Sequence, residues 1–213
     1  MPDSCPTWDL TDLYEGIGDD AIAADLARCR REAERMESAW QGKIGNATPQ
    51  DLATLIADYE QVLEALGKAQ SHAQLLFAAS TTDAQIARHH QSIREASADI
   101  GARLLFVELE IAALPSDHVD RLLETAEFAA WQPWLRRVRA FAPHQLSPDM
   151  ERMLAERAPS GRGAWVRLFD ETAAGLRFPF GDAEVTEAEV LNKLSSPDAD
   201  ERREAGASLS QTL

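Results

Sequence analysis

Residues 100–114 read "IGARLLFVELEIAAL" and run into Pro115. Ile100, Leu104, Val107, Ile111 and Leu114 recur at steps of four and three, which lines one stripe of a helix. The inner "VELEI" also alternates apolar with acidic residues, as a half-buried strand does. The flanks decide between the two: "ASADIGARLL" and "AAL" are dominated by helix-favouring residues. Leu105, Phe106 and Leu109 fall on the remaining faces, so the helix is apolar nearly all round and is expected at the centre of the fold. Pro115 forbids its continuation.

Helical patterns extend on both sides. Ile22, Leu26, Cys29, Ala33, Met36 and Trp40 form one stripe, with Asp19 or Asp20 as cap and "QGKIGN" as stop. "TPQD" places Thr48 as N-cap, Pro49 at the first helical position and Asp51 near the positive helix end. Leu52, Leu55, Ile56, Tyr59, Leu63 and Leu66 then give a buried face, and Gly67 is a point where that helix kinks or ends. The central helix is expected from about Asp83 to Leu114. Others follow from Asp117 to about Glu127, Trp131 to Phe141, Ser147 to about Arg157, and Gly163 to Leu176.

The pattern changes once. In "LRFPFGDAEVT" Phe178 and Phe180 alternate, Gly181-Asp182 makes a turn and Val185 follows, which reads as a short hairpin over residues 177–185. "TEAE" is a capping box of Thr186 and Glu189, opening a helix with Val190, Leu191 and Leu194. "SSPD" predicts a last helix with Ser196 as cap and Pro197 at its first position. No terminator precedes Leu213, so the chain reads as cut rather than finished. The expected fold class is all-α, mainly antiparallel helices, with one short β-hairpin.

Lys plus Arg is 21 and Asp plus Glu is 36, giving a formal charge of −15 over 213 residues. Such a surface repels phosphate backbones and anionic membranes, which argues against nucleic acid and membrane partners. The most apolar segment is interrupted by Glu108 and Glu110 and is too short to span a bilayer. Cys5 and Cys29 are far apart and in no metal-ligand spacing, and the N-terminus lacks a basic region followed by an apolar run. Reduced thiols in a cytoplasmic setting are expected.

The chemical motifs fail one by one. Gly161-Arg162-Gly163 lacks the third glycine of a dinucleotide loop, lacks the Lys-Ser/Thr of a P-loop, and follows a helical rather than a strand pattern. It reads as a helix-helix corner. His72, His89, His90, His118 and His144 form no H-E-x-x-H, and none has a glutamate three residues before it. His89 and His90 point about 100° apart on a helix, and are expected on a solvated face. Glu108 and Glu110 need partners if buried, and Arg103, Arg136 and Arg167 are the candidates; general acid–base work is the minority alternative. No Gly-x-Ser-x-Gly elbow occurs. Arg136, Arg137 and Arg139 are expected to pair with acids on a helix face, and Trp131, Trp134 and Trp165 to serve as core. No catalytic, cofactor-binding or metal-binding residue is assigned.

Several segments together nevertheless resemble the start of oligoendopeptidase F-type zinc metallopeptidases, relatives of thimet oligopeptidase. They are "WDLTDLY" (Trp8–Tyr14), "SHAQLLFAASTTD" (Ser71–Asp83), "LLFVELEIAAL" (Leu104–Leu114), and the run from Trp134 to Thr172. The hairpin followed by two helices, "VTEAEVLNKLSSPDADERREAGASLSQTL", fits as well. The resemblance implies that residues 1–175 are the N-terminal helical domain and that 176–213 begin a catalytic domain. That later domain would carry H-E-x-G-H and a downstream glutamate, bind zinc and hydrolyse short unstructured peptides. The present chain would form one wall of a substrate channel and restrict entry, inactive by itself, with that domain and short peptides as partners. It would expose apolar area and could self-associate. Two departures stand out. His72 occupies a position where tyrosine is common, and if channel-facing would alter peptide preference. Pro148 follows Ser147 where an acid is frequent. The competing reading is a free-standing all-helical interaction protein whose surface is closed. A stand-alone hydrolase using Glu108 or Glu110 lacks a convergent nucleophile, base and orienting group.

Overall fold

The computed structural model describes residues 8–213; Cys5 lies outside them. Three long helices come first: α1 (Asp20–Trp40), α2 (Pro49–Ala79) and α3 (Ala84–Ala113). Each begins where a short polar side chain satisfies free backbone donors. Asp19 accepts from the Ala21 amide, Thr48 from Asp51, and Asp83 from Gln85 and Ile86. Helix α2 runs through Gly67 without ending there.

The order of cross-helix pairs fixes their directions. Along α1 and α2, Cys29 meets Val62 while Arg35 meets Asp58, so the two run antiparallel. Along α2 and α3, Tyr59 meets Glu108 and Phe77 stacks on His90, again antiparallel. Helices α1 and α3 are parallel, with Arg30 beside Asp99 and Glu37 beside Arg103. The main core fills the space between them with Cys29, Ala33, Met36, Ile44, Leu52, Leu55, Ile56, Ile100, Leu104, Val107 and Ile111. Helix α3 contacts α1, α2 and two later helices, as its nearly all-round apolar pattern predicts.

After Pro115 come α4 (Ser116–Leu123), a 3-10 segment (Ala126–Trp131), α5 (Gln132–Phe141) and α6 (Pro148–Arg157). The helix expected to reach Glu127 stops at Leu123. Thr125 turns extended there, and its hydroxyl donates to the Leu122 carbonyl at 2.9 Å, which closes the end. Phe128, fully buried, carries the 3-10 segment onto the main core.

Residues Met1–Pro159 form one compact unit and Ser160–Leu213 a second. The second contains α7 (Arg162–Gly175), β1 (Phe178–Phe180), β2 (Ala183–Val185), α8 (Glu187–Lys193) and α9 (Ala199–Thr212). The strands pair antiparallel with Phe178 opposite Val185 and Phe180 opposite Ala183. Gly181 has φ of 59°, the left-handed value that a two-residue hairpin turn opening on glycine requires. Its amide donates to Glu204 on α9 at 2.7 Å. Phe178, Val190 and Ala205, each fully buried, make this unit's own core. The capping box of Thr186 and Glu189 is formed. The cap of α9 is Asp198 rather than Ser196. Ser196 instead accepts from the Asp198 amide at 3.2 Å, a turn that holds Asp198 in the capping position. Fold class is therefore all-α with one short hairpin, as the sequence predicts.

Candidate functional site

A concavity that combines aromatic side chains with charged groups of both signs lies between α2 and α5. It is a groove of about 710 Å³ lined by Ile56, Tyr59, Leu63 and three aromatic or ring side chains from the α5 side, Trp131, Pro133 and Trp134. Helical spacing on α2 sets Ile56, Tyr59 and Leu63 on one side and brings Glu60 and Glu64, one turn apart, to the groove's edge. Pro133 near the start of α5 tolerates the helix entry and sets Trp134 against the groove. The Tyr59 and Trp134 rings lie 6.0 Å apart at 41°. Trp131 Nε1 donates to Glu60 at 3.1 Å. Arg137 lines the groove and also a smaller recess with Glu108, Val138, Phe141 and Gln145. Burial pushes the Tyr59 hydroxyl far up from its ordinary range, and the nearby Glu108 carboxylate adds to the effect.

The carboxylates of α3 find partners other than the arginines expected. Glu110 accepts from the backbone amides of Gly42 at 2.6 Å and Ile44 at 3.2 Å, and Glu108 accepts from the Tyr59 hydroxyl at 3.4 Å. Arg103 pairs with Glu37 at 3.1 Å, and Arg167 with Glu171 on its own helix. Arg136 and Arg137 make no ion pair among the described residues. Arg139 binds the carbonyls of Ala112 and Leu114 and the Ser116 hydroxyl, satisfying the open end of α3 instead of pairing with an acid. Except for the Arg167–Glu171 pair, these partners are far away in sequence, so local spacing held no signal for them.

The histidines also differ from expectation. His90 is buried and stacks on Phe77 at 4.8 Å, and His89 is half-buried, so neither lies on a solvated face. His72 is 1% exposed and meets Tyr14 edge-on at 5.3 Å and His89 at 6.2 Å. His72 Nδ1 and His89 Nε2 are buried without a hydrogen-bond partner. Burial holds both imidazoles below their ordinary pKa. Trp165 is 72% exposed and is not core, while Trp131 and Trp134 are half-buried. Gly161 and Gly163 lie at the entry to α7, with Gly161 as its N-cap.

Residues 110–178 match the family model described as oligopeptidase F, for the N-terminal part of these peptidases. Oligoendopeptidase-F from Enterococcus faecium is similar in structure over 91% of this chain, with a TM-score of 0.70 and 16% identity. The chain spans 39% of that structure's length, and at this identity the likeness speaks for fold. No curated protein sequence matches the chain. The helical architecture and the family match together define a peptidase-related N-terminal region. The matched family is the one that the ordered sequence segments resemble.

Zinc is plausible for a full-length metallopeptidase of this kind, but the described residues do not fit it. Among them no three His, Cys, Asp or Glu side chains converge as a metal site requires. Among them, too, no helix is long and apolar enough to cross a membrane.

Proposed function

We propose that this chain is the substrate-channel wall of a zinc-dependent oligoendopeptidase acting on short unstructured peptides. Its helices restrict entry by size, and a C-terminal catalytic part supplies the zinc and the water-activating glutamate. In this reading residues 1–175 form the N-terminal helical domain, 176–213 open the catalytic one, and residues 1–213 alone are inactive and work in the cytoplasm.

The observation that carries the reading is the family match over residues 110–178. Unpartnered apolar faces support it on both units. Helix α6 exposes Met150, Met153 and Leu154 by about half, and α7 exposes Trp165, Leu168 and Phe169 at 72%, 52% and 71%. Faces of this kind, rimmed by polar residues, mark surfaces meant to be covered. In this reading the catalytic part is the covering element.

The test expresses residues 1–213 together with the segment that follows Leu213 in the gene. Co-expression is expected to give a zinc-containing complex that cleaves fluorogenic peptides and ignores folded proteins, with neither activity in residues 1–213 alone. Stoichiometric zinc and cleavage by the chain alone would overturn the reading. So would a gene in which no zinc-binding segment follows.

A further inference from the structure

We propose that the groove between α2 and α5 binds a peptide whose last residue is lysine or arginine. The side-chain cation sits against Glu60 and Glu64, and the terminal carboxylate against Arg137. The assignment deepens the peptide-handling reading above and rests on it, because a free basic amino acid offers the same two charges.

The groove is electrically two-ended. Glu60 and Glu64 lie one helical turn apart, a like-charge spacing that is unfavourable unless a cation joins them. Neither has an ion-pair partner among the described residues. Trp131 Nε1 holds one oxygen of Glu60 at 3.1 Å, which orients the carboxylate and leaves the other oxygen available. Arg137 lies on the opposite wall, also without an ion pair among the described residues, though Glu108 lines the recess beside it. A ligand carboxylate therefore has a guanidinium to bind, in the planar geometry that arginine favours.

The middle of the groove is aromatic. Half-buried Trp134, tilted 41° to the buried Tyr59 ring behind it, offers a ring face along which the methylene stem of a lysine or arginine packs while its charged head continues to the acids. A volume of about 710 Å³ leaves room for the terminal basic residue together with the residues before it. The chain's formal charge of −15 draws cations toward this wall.

Calorimetric titration of the 213-residue chain tests the assignment with four probes: N-acetyl-Ala-Ala-Lys with a free carboxylate, its norleucine analogue, its C-terminal amide, and free lysine. The first is expected to bind about tenfold more tightly than each of the others. In Glu60→Gln/Glu64→Gln the lysine–norleucine difference disappears; the glutamine at 60 still accepts from Trp131, so the wall stays intact. In Arg137→Gln the acid–amide difference disappears. Circular dichroism of each variant confirms the helical fold. Equal binding of all four probes, or none that saturates, overturns the proposal, as does free lysine matching the tripeptide. No zinc or cleavage enters this measurement, so its failure and failure of the channel-wall reading are told apart.

Discussion

Glu110 accepts the backbone N–H of Gly42 at 2.6 Å, and Gly42 adopts φ of 76° to present it. A second bond from the Ile44 amide makes this one carboxylate the anchor of the loop between α1 and α2. Replacing Glu110 with Ala leaves two loop donors without their charged acceptor, at a cost of about 1–3 kcal/mol. Gly42→Ala forces a left-handed backbone on a residue with a Cβ, at about 1 kcal/mol. Urea unfolding of both single variants and the double variant checks this. Because the two sites share one bond, the double variant is expected to lose less than the sum.

Phe178 is fully buried against Val190 and Ala205 in the second unit. A core of so few large side chains has little to replace one, and Phe178→Ala is expected to cost about 3–5 kcal/mol. Limited proteolysis should then cut within residues 176–213, while a product containing the main core of α1–α3 survives. Equal loss of both regions would show that the second core does not unfold by itself.

Local signals in the sequence were enough for most of this architecture. Asp19, Thr48, Asp83 and Thr186 each cap the helix that their spacing announces, because a cap acts within three residues of itself. At the last helix the expected cap, Ser196, gives way to Asp198, because the turn that Ser196 closes puts Asp198 in the capping position. The partners of Glu108, Glu110 and Arg139 were illegible for a different reason. Those bonds join residues 23 to 68 positions apart, and a backbone amide or carbonyl leaves no mark in a sequence. His90 and Trp165 exchanged their expected surroundings because burial depends on which neighbouring helix covers a face. The α2–α5 groove needed that same knowledge, although Trp131 and Trp134 were visible from the start.

His72 and His89 set an acid limit on stability. Burial lowers both pKa values; at His72 Asp19 opposes the effect and Lys68 adds to it, and at His89 the neighbouring His72 lowers the value further. Tyr14, whose hydroxyl is committed to Asp25, faces His72 only by its ring. The folded state therefore binds fewer protons than the unfolded state near and below the ordinary histidine value of about 6.5. Stability is full above that pH and falls as the pH drops through the folded values. Urea midpoints measured from pH 7.5 down to 5 should show the fall, and His72→Phe should flatten it. An unchanged slope in that variant would assign the acid sensitivity to other groups.

In the channel-wall proposal, Trp165 and Phe169 bear on assembly rather than on folding. At 72% and 71% exposure they bury little in this chain, so Trp165→Ser with Phe169→Ser should change its unfolding midpoint by no more than about 0.5 kcal/mol. The same pair should reduce self-association in sedimentation and weaken capture of the proposed zinc-bearing part. A large loss of stability would mean that the face is already covered within the folded chain.

The two tyrosines of the chain give the alkaline counterpart. Burial raises the pKa of both hydroxyls well above the ordinary value of about 10. Tyr14 is held up further by its hydrogen bond to Asp25 at 2.9 Å, and Tyr59 by the charge of Glu108 and the 3.4 Å bond to it. A raised pKa means that the folded state keeps protons the unfolded state releases. This contribution is whole below about pH 10 and is lost as the pH climbs beyond it. Phenolate absorbance should therefore stay flat through pH 10 and then appear together with the loss of helical ellipticity, as one transition. Glu108→Gln removes a charge beside Tyr59 and leaves an acceptor, so phenolate from one tyrosine should appear at lower pH while Tyr14 waits for unfolding. A smooth titration of both near pH 10 with the helices intact would show that these hydroxyls are reached by water and that their bonds to Asp25 and Glu108 contribute little.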